Sequence, residues 1–314
     1  MLVILASGGC SSKNVKITAI ITGPDGNIWF LEPSANKIGF FVPSTSKITE
    51  YNIPTPNSGL SGVTAGPDGN IWFAEANVNK IGMLSLSTTQ ISEYALPTAN
   101  AGVNSIVAGP DGNIWFTEAT GNKIGSLFIS SSKITEYGAP AADSGLKGIT
   151  NGSDGNLWFI ETAQNAIANI SPDTGKITEY KVPTSDSNLS GLTRGNDNNM
   201  WFTETKGNKI GKLTESTSEI IEYGCPTVTA GLGGIAAGPD GNIWFAELSG
   251  NKIGNISVSS GSVTEYKIPT VKAGLVYVTS GPDANIWFTE GSMNKIGKIS
   301  PANDTITEYG IHSK

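Results

Sequence analysis

Seven glutamates recur at one spacing and are the first candidates for chemistry. Glu32, Glu75, Glu118, Glu161, Glu204, Glu247 and Glu290 stand 43 residues apart. A carboxylate so placed can act as a base, ligate a cation or hold an ion pair. Lysine follows six of them at a fixed distance: Lys37 after Glu32, Lys80 after Glu75, Lys123 after Glu118, Lys209 after Glu204, Lys252 after Glu247 and Lys295 after Glu290. The spacing fits a short hairpin, so cross-strand Glu–Lys pairs are expected, giving a ring of structural ion pairs. The other use of the same ring is a set of carboxylates near one mouth of a channel. One repeat departs from the rest. It reads Asn165-Ala166-Ile167-Ala168 where the others read Asn-Lys-Ile-Gly, so Glu161 lacks its lysine. A carboxylate without a counter-ion has a raised pKa or takes a cation. Simple drift of one repeat is the competing explanation.

The elements that must position these groups follow from the same period. A Trp precedes each glutamate by three residues, from Trp29 to Trp287, and a Phe follows every Trp. An Asp stands four residues before each Trp, and a Glu-Tyr pair closes each unit, from Glu50-Tyr51 to Glu308-Tyr309. Seven units of 43 make 301 of the 314 residues. Within one unit, 61–66 is a β-rich run and Pro67-Asp68-Gly69-Asn70 is turn chemistry. Residues 71–75, 80–85 and 91–94 supply three further strands. Four antiparallel strands per unit of this length are the signature of a propeller blade. The expected fold is therefore all-β, a seven-bladed β-propeller forming one domain over 15–314, with residues 1–14 as an apolar tail. The first strand of blade one falls at 17–22 and the last of blade seven at 305–309. Closure should rest on packing of these two blades, with no strand exchanged between the ends.

Composition narrows the function. No apolar run is long enough to span a bilayer as a helix. A net charge of −7 argues against a nucleic-acid surface. Most of the acidity is scaffold, because the seven turn Asp, seven post-Trp Glu and seven Glu of Glu-Tyr make 21 of the 27 acidic residues. His312 is the one histidine, and it follows the last strand as a tail residue. Cys10 and Cys225 are too few for a disulfide framework or a CxxC zinc motif. Cys225 occupies a place that other repeats fill with Ile, Leu, Ala or Val, so it reads as a small buried hydrophobe. Arg194, the sole arginine, is expected to pair with a carboxylate at the turn-side end of the channel or to bind an anion.

The string G-P-D-G-N-I-W-F-(T/A)-E, followed by N-K-I-G-x-I-S and I-T-E-Y-x-x-P-T, resembles the repeat of the streptogramin B lyases, the virginiamycin B lyase family. The resemblance spans all seven units, residues 17–309. It implies a seven-bladed propeller and a magnesium-dependent elimination that opens the ester ring of a cyclic depsipeptide antibiotic without hydrolysis. It also implies histidines in a P-H-G-I-T string opening the first strand of particular blades, one of them acting as base. The metal would be held by the post-Trp Glu and by a second Glu two residues before the His. In this chain the His position, fourteen residues before each post-Trp Glu, holds Thr18, Ser61, Asn104, Lys147, Ser190, Gly233 and Val276. The second-Glu position holds Gly59, Gly102, Gly145, Asn188, Gly231 and Gly274 in blades two to seven. Lys147 is the one conceivable substitute base, and a solvated lysine is mostly protonated at neutral pH.

The expected function is ligand or partner binding without catalysis. The alternative is a lyase or lactonase-like enzyme with an atypical site built on Glu161 and Lys147; a third is a purely structural surface protein. The candidate ligand-binding residues are Asn104, Lys147, Glu161, Lys272 and Tyr277, with Asp143 and Asp186 on the same loops. Tyr277, the only tyrosine outside the Glu-Tyr motif, either stacks on a ligand or fills a gap between blades. No metal is expected, magnesium entering only with the lyase alternative. The partner would be a small molecule or a protein at the channel mouth, and a monomer is expected. Residues 2–6 are apolar and Ser7-Gly8-Gly9-Cys10 resembles a lipoprotein cleavage box. An exported or cell-surface protein, lipid-anchored through Cys10, is therefore expected, with a cytoplasmic location as the alternative.

Overall fold

A computed structural model describes residues 16–311. The N-terminal tail with Cys10, and His312, lie outside the described residues. Among those described, 28 strands form seven sheets of four. Each sheet is an antiparallel meander in chain order. Blade two shows the pattern: Leu60–Ala65, Ile71–Glu75, Lys80–Leu84 and Ile91–Ala95. These bounds lie within about one residue of those expected from turn chemistry and alternation. Among the described residues, no helix is long and apolar enough to cross a membrane.

The turn aspartate does more than shape its hairpin. Asp68 Oδ1 accepts the indole N–H of Trp72 at 3.0 Å, and Asp68 Oδ2 accepts from the Asn70 amide at 2.8 Å. Tyr94 stacks on the same indole, with ring centroids 5.5 Å apart. Every blade repeats this Asp–Trp–Tyr column. The column explains why three residue types so distant in the repeat keep one period: a buried indole needs its N–H satisfied.

Trp and Phe are neighbours on one strand, so they point to opposite faces. Trp29 packs with Val63, Ile71 and Phe73 of the next blade, and each later Trp does likewise. Every Trp is at most 1% exposed. The last seam closes by the same rule, Trp287 packing with Ile20, Ile28, Phe30 and Phe41 of blade one. Thr22 Oγ1 donates to the Ser280 carbonyl across it. Blades one and seven each supply all four of their own strands, as expected. The first strand of blade one is shorter than expected, Ile20–Thr22. Pairing continues ahead of it through the Thr18 N–H to the Leu31 carbonyl at 3.2 Å.

Candidate functional site

The first strands touch their neighbours all the way round and enclose the central channel. The channel holds a cavity of about 360 Å³. One aliphatic residue per blade forms a ring within it: Ile20, Val63, Ile106, Ile149, Leu192, Ile235 and Val278. Two residues earlier on each strand lies the mouth ring. Ser61, Asn104, Lys147, Ser190 and Val276 from that ring line the cavity, joined by Tyr277. The wall is thus apolar below and mixed polar above, with Lys147 as its one charged side chain.

The structure brings three of the five sequence candidates together here, Asn104, Lys147 and Tyr277. Asn104 is exposed, and Lys147 makes no ion pair among the described residues. Tyr277 is 37% exposed, and burial of its remaining surface raises its hydroxyl pKa. It lines the channel and joins no aromatic stack among the described residues. Lys272 does not belong to this cavity. It is exposed on the loop before blade seven, beside a shallower hollow lined also by Leu248 and Val271. Glu161 lies in neither wall.

The post-Trp glutamates require a correction. Each does face its lysine in the strand register, Glu75 opposite Lys80 for example. The lysine pairs elsewhere. Lys80 Nζ lies 2.6 Å from Glu93 Oε2, the Glu of Glu-Tyr, and the same holds for Lys37–Glu50, Lys123–Glu136, Lys209–Glu222, Lys252–Glu265 and Lys295–Glu308. The threonine of the Pro-Thr motif completes this link from the preceding blade. Thr55 Oγ1 donates to Glu93 Oε2 at 2.6 Å and its N–H to Oε1 at 3.1 Å. The reason is depth. A lysine ammonium stays near water at the end of its long stem, where the shallower carboxylate meets it. All seven post-Trp glutamates are 0% exposed. At Glu32, Glu75, Glu118, Glu161, Glu204 and Glu290, neither carboxylate oxygen has a hydrogen-bond partner among the described residues. They sit in the blade seams, outside the channel wall.

Burial, reinforced by the neighbouring glutamate, raises these carboxyls to about 7, and Glu118 to about 8. Glu161 also stands at about 7, raised by burial and then by the neighbouring Glu179 carboxylate. Its carboxyl is raised as expected for a residue without a lysine, yet it matches blades that keep theirs. Blade four has lost more than the lysine. Ala141 replaces the threonine of the Pro-Thr motif, so Glu179 is left with Lys181 at 3.8 Å. The threonine and lysine are a functional pair in the scaffold that sequence reasoning missed. Their joint absence from one repeat was the available signal.

Two further expectations resolve. Arg194 is exposed and pairs with no carboxylate among the described residues; its guanidinium donates to the Gly152 carbonyl of blade four at 3.2 Å. Cys225 is buried, as expected, but its sulfur faces two carboxylates, Glu247 and Glu265.

Residues 7–174 and 87–314 each match the sequence model of the virginiamycin B lyase family. The chain belongs to the virginiamycin B lyase family. A solved streptogramin B lyase is 39% identical over 91% of this chain and 94% of its own, with a TM-score of 0.86. Selenomethionine-substituted virginiamycin B lyase from Staphylococcus aureus is 39% identical over 92% of this chain and 96% of its own, with a TM-score of 0.85. A catalytically inactive histidine-to-alanine form of the S. aureus enzyme with quinupristin is 36% identical over 96% and 97%, also at 0.85. Among curated proteins, none matches the chain.

The magnesium arrangement implied by the lyase family does not fit these residues. The place of its second Glu is a left-handed backbone position in every blade from two to seven, with φ of 68° at Gly59, 53° at Asn188 and 72° at Gly274. Glycine and asparagine adopt that conformation readily, and a glutamate does not. A Cβ at Gly59, Gly102 or Gly274 would also overlap Asn77, Thr120 or Ser292. The post-Trp Glu therefore gains no second carboxylate from that loop.

Proposed function

We propose that this member of the lyase family binds a small, partly apolar ligand in its channel mouth without transforming it. The composition of the mouth ring carries the proposal. Ring-opening elimination needs a base of near-neutral pKa and a group to absorb developing negative charge. The ring offers Thr18, Ser61, Asn104, Lys147, Ser190, Gly233 and Val276 in the places where the family resemblance implies histidines. These residues suit recognition. The cavity volume of about 360 Å³ is that of a small-ligand site. The aliphatic ring would take an apolar body, the Tyr277 ring a flat face, and Lys147 an anionic or carbonyl group, with Asn104 beside it.

The test is incubation of the protein with a streptogramin B antibiotic and magnesium, following ring opening by chromatography because elimination leaves mass unchanged. The expected result is no opening at high protein concentration. A screen of amphipathic ligands by calorimetry should then find binding that weakens about tenfold in Lys147→Ala, the loss of one charge-assisted contact. The 39% identity to a streptogramin B lyase favours the second reading, a lyase with an atypical site. Ring opening that disappears in Lys147→Ala would establish it and overturn the first.

A further inference from the structure

The seam between blades five and six differs from the other six in one atom type. Cys225 follows the last strand of blade five, Glu219–Gly224, and is 8% exposed. The equivalent residues elsewhere are Ile53, Leu96, Ala139, Val182, Ile268 and Ile311. Its Sγ lies 3.5 Å from Oε1 of Glu265 and 3.8 Å from Oε1 of Glu247. One ligand atom from each of the three residues lies within 4.8 Å of the others. Glu247 is wholly buried and its Oε2 accepts no hydrogen bond. Its other oxygen, Oε1, has no partner among the described residues but the Cys225 thiol, which faces it from across the seam.

We infer that Cys225, Glu247 and Glu265 form a binding site for a thiophilic divalent cation of the zinc class, between blades five and six and apart from the channel. The distances suit it. Tetrahedral zinc with Zn–S of about 2.3 Å and Zn–O of about 2.0 Å sets its sulfur and oxygen ligands about 3.5 Å apart. The two sulfur–oxygen separations already lie at or near that value, and the two carboxylate oxygens, within 4.8 Å of each other, would draw together to share the ion. The charges balance as well. A thiolate and two carboxylates carry three negative charges, offset by the dication and by the Lys252 ammonium 2.5 Å from Glu265 Oε2. Glu265 is fixed for the task by the Thr227 N–H at 2.8 Å on Oε1 and the Thr227 hydroxyl at 2.8 Å on Oε2. Such outer contacts hold a metal ligand in orientation. Water completes the fourth position, and the thiol proton leaves to solvent on binding. No other seam can do this, because an aliphatic side chain takes the place of the sulfur. The site uses none of the mouth-ring positions.

Cadmium reports thiolate ligation directly by a ligand-to-metal charge-transfer band in the ultraviolet. The full chain carrying Cys10→Ser, with Cys225 as its only thiol, should develop this band and saturate at one equivalent. Cys225→Val in that background installs the Val182 solution of blade four and should abolish the band with the fold retained. Glu247→Gln should weaken cadmium at least tenfold, the scale of losing one charged ligand. Zinc should raise the melting temperature of Cys10→Ser and leave that of Cys225→Val unmoved. Absence of the band in Cys10→Ser, or equal affinity in Glu247→Gln, would overturn the site.

Discussion

Blades four and five have the same backbone and different electrostatics. Asn165 and Asn208 make the same bonds: Asn165 donates to Val182 O and Thr184 O, Asn208 to Cys225 O and Thr227 O. Trp158 and Trp201 donate to Asp154 and Asp197 and stack on Tyr180 and Tyr223. Blade five then ties Glu222 to Lys209 at 2.6 Å and to Thr184 at 2.7 Å. Blade four has Ala166 and Ala141 in those places, and Glu179 has neither partner. Yet Glu161 and Glu204 are equally buried and both stand at about 7. Burial therefore governs the post-Trp carboxyl, and the lysine serves the strand-four glutamate and the seam.

The largest effect should be blind to this difference. Trp158→Ala and Trp201→Ala each remove a buried indole that packs on the next blade and should each cost about 3–5 kcal/mol in urea unfolding. A much smaller loss in blade four would mean that its seam is looser than the shared backbone implies.

The next effect separates burial from the lysine. With the folded-state carboxyl at about 7 against an ordinary 4.5, the native state holds the proton more tightly than the unfolded chain. That contribution is complete below about pH 4.5 and is lost as pH rises through 7. Stability should accordingly decline between pH 5 and 8. Glu161→Gln and Glu204→Gln should each recover about 1–3 kcal/mol at pH 8 and change little at pH 5. If the lysine governed the shift, only the blade-four variant would respond. At the acid end the sign reverses. Although burial opposes it, hydrogen bonds from Lys252 and Thr227 hold Glu265 down to about 2, so its contribution is present above 4.5 and is lost toward pH 2.

The repeat made the fold legible because its signals are local or periodic. Pro-Asp-Gly-Asn announces a turn at its own position, and the Trp period counts blades without any knowledge of contacts. The mouth ring was legible for the same reason, since Asn104 and Lys147 follow from counting back along one strand, while Tyr277 stood out as the only tyrosine outside the Glu-Tyr motif. Side-chain depth was not. Strand register puts Lys80 opposite both Glu75 and Ala95, but which carboxylate it reaches depends on how far each side chain lies from water. The partners of Cys225 stand 22 and 40 residues away on the next blade, and only the packed seam brings them together.

The smallest effect is the most diagnostic of the blade comparison. Ala141→Thr with Ala166→Lys grafts the blade-five link onto blade four and gives Glu179 the two donors that Glu222 has. A lysine in this setting is about one-third exposed, 35% for Lys209, so the gain should be modest, about 0.5–1 kcal/mol at pH 7. Coupling should dominate it. In blade five Lys209 Nζ also donates to Thr184 Oγ1 at 2.6 Å, so the lysine is held by the threonine as well as by the glutamate. Each single substitution should then give less than half the gain of the pair, and a double-mutant cycle should return a coupling of about 0.5 kcal/mol. Strict additivity would mean that the threonine and lysine act separately on the glutamate and that their joint loss from blade four is coincidence. A gain that vanishes when the graft is repeated in a Glu179→Gln background would confirm that it acts through that carboxylate and not through packing at position 141.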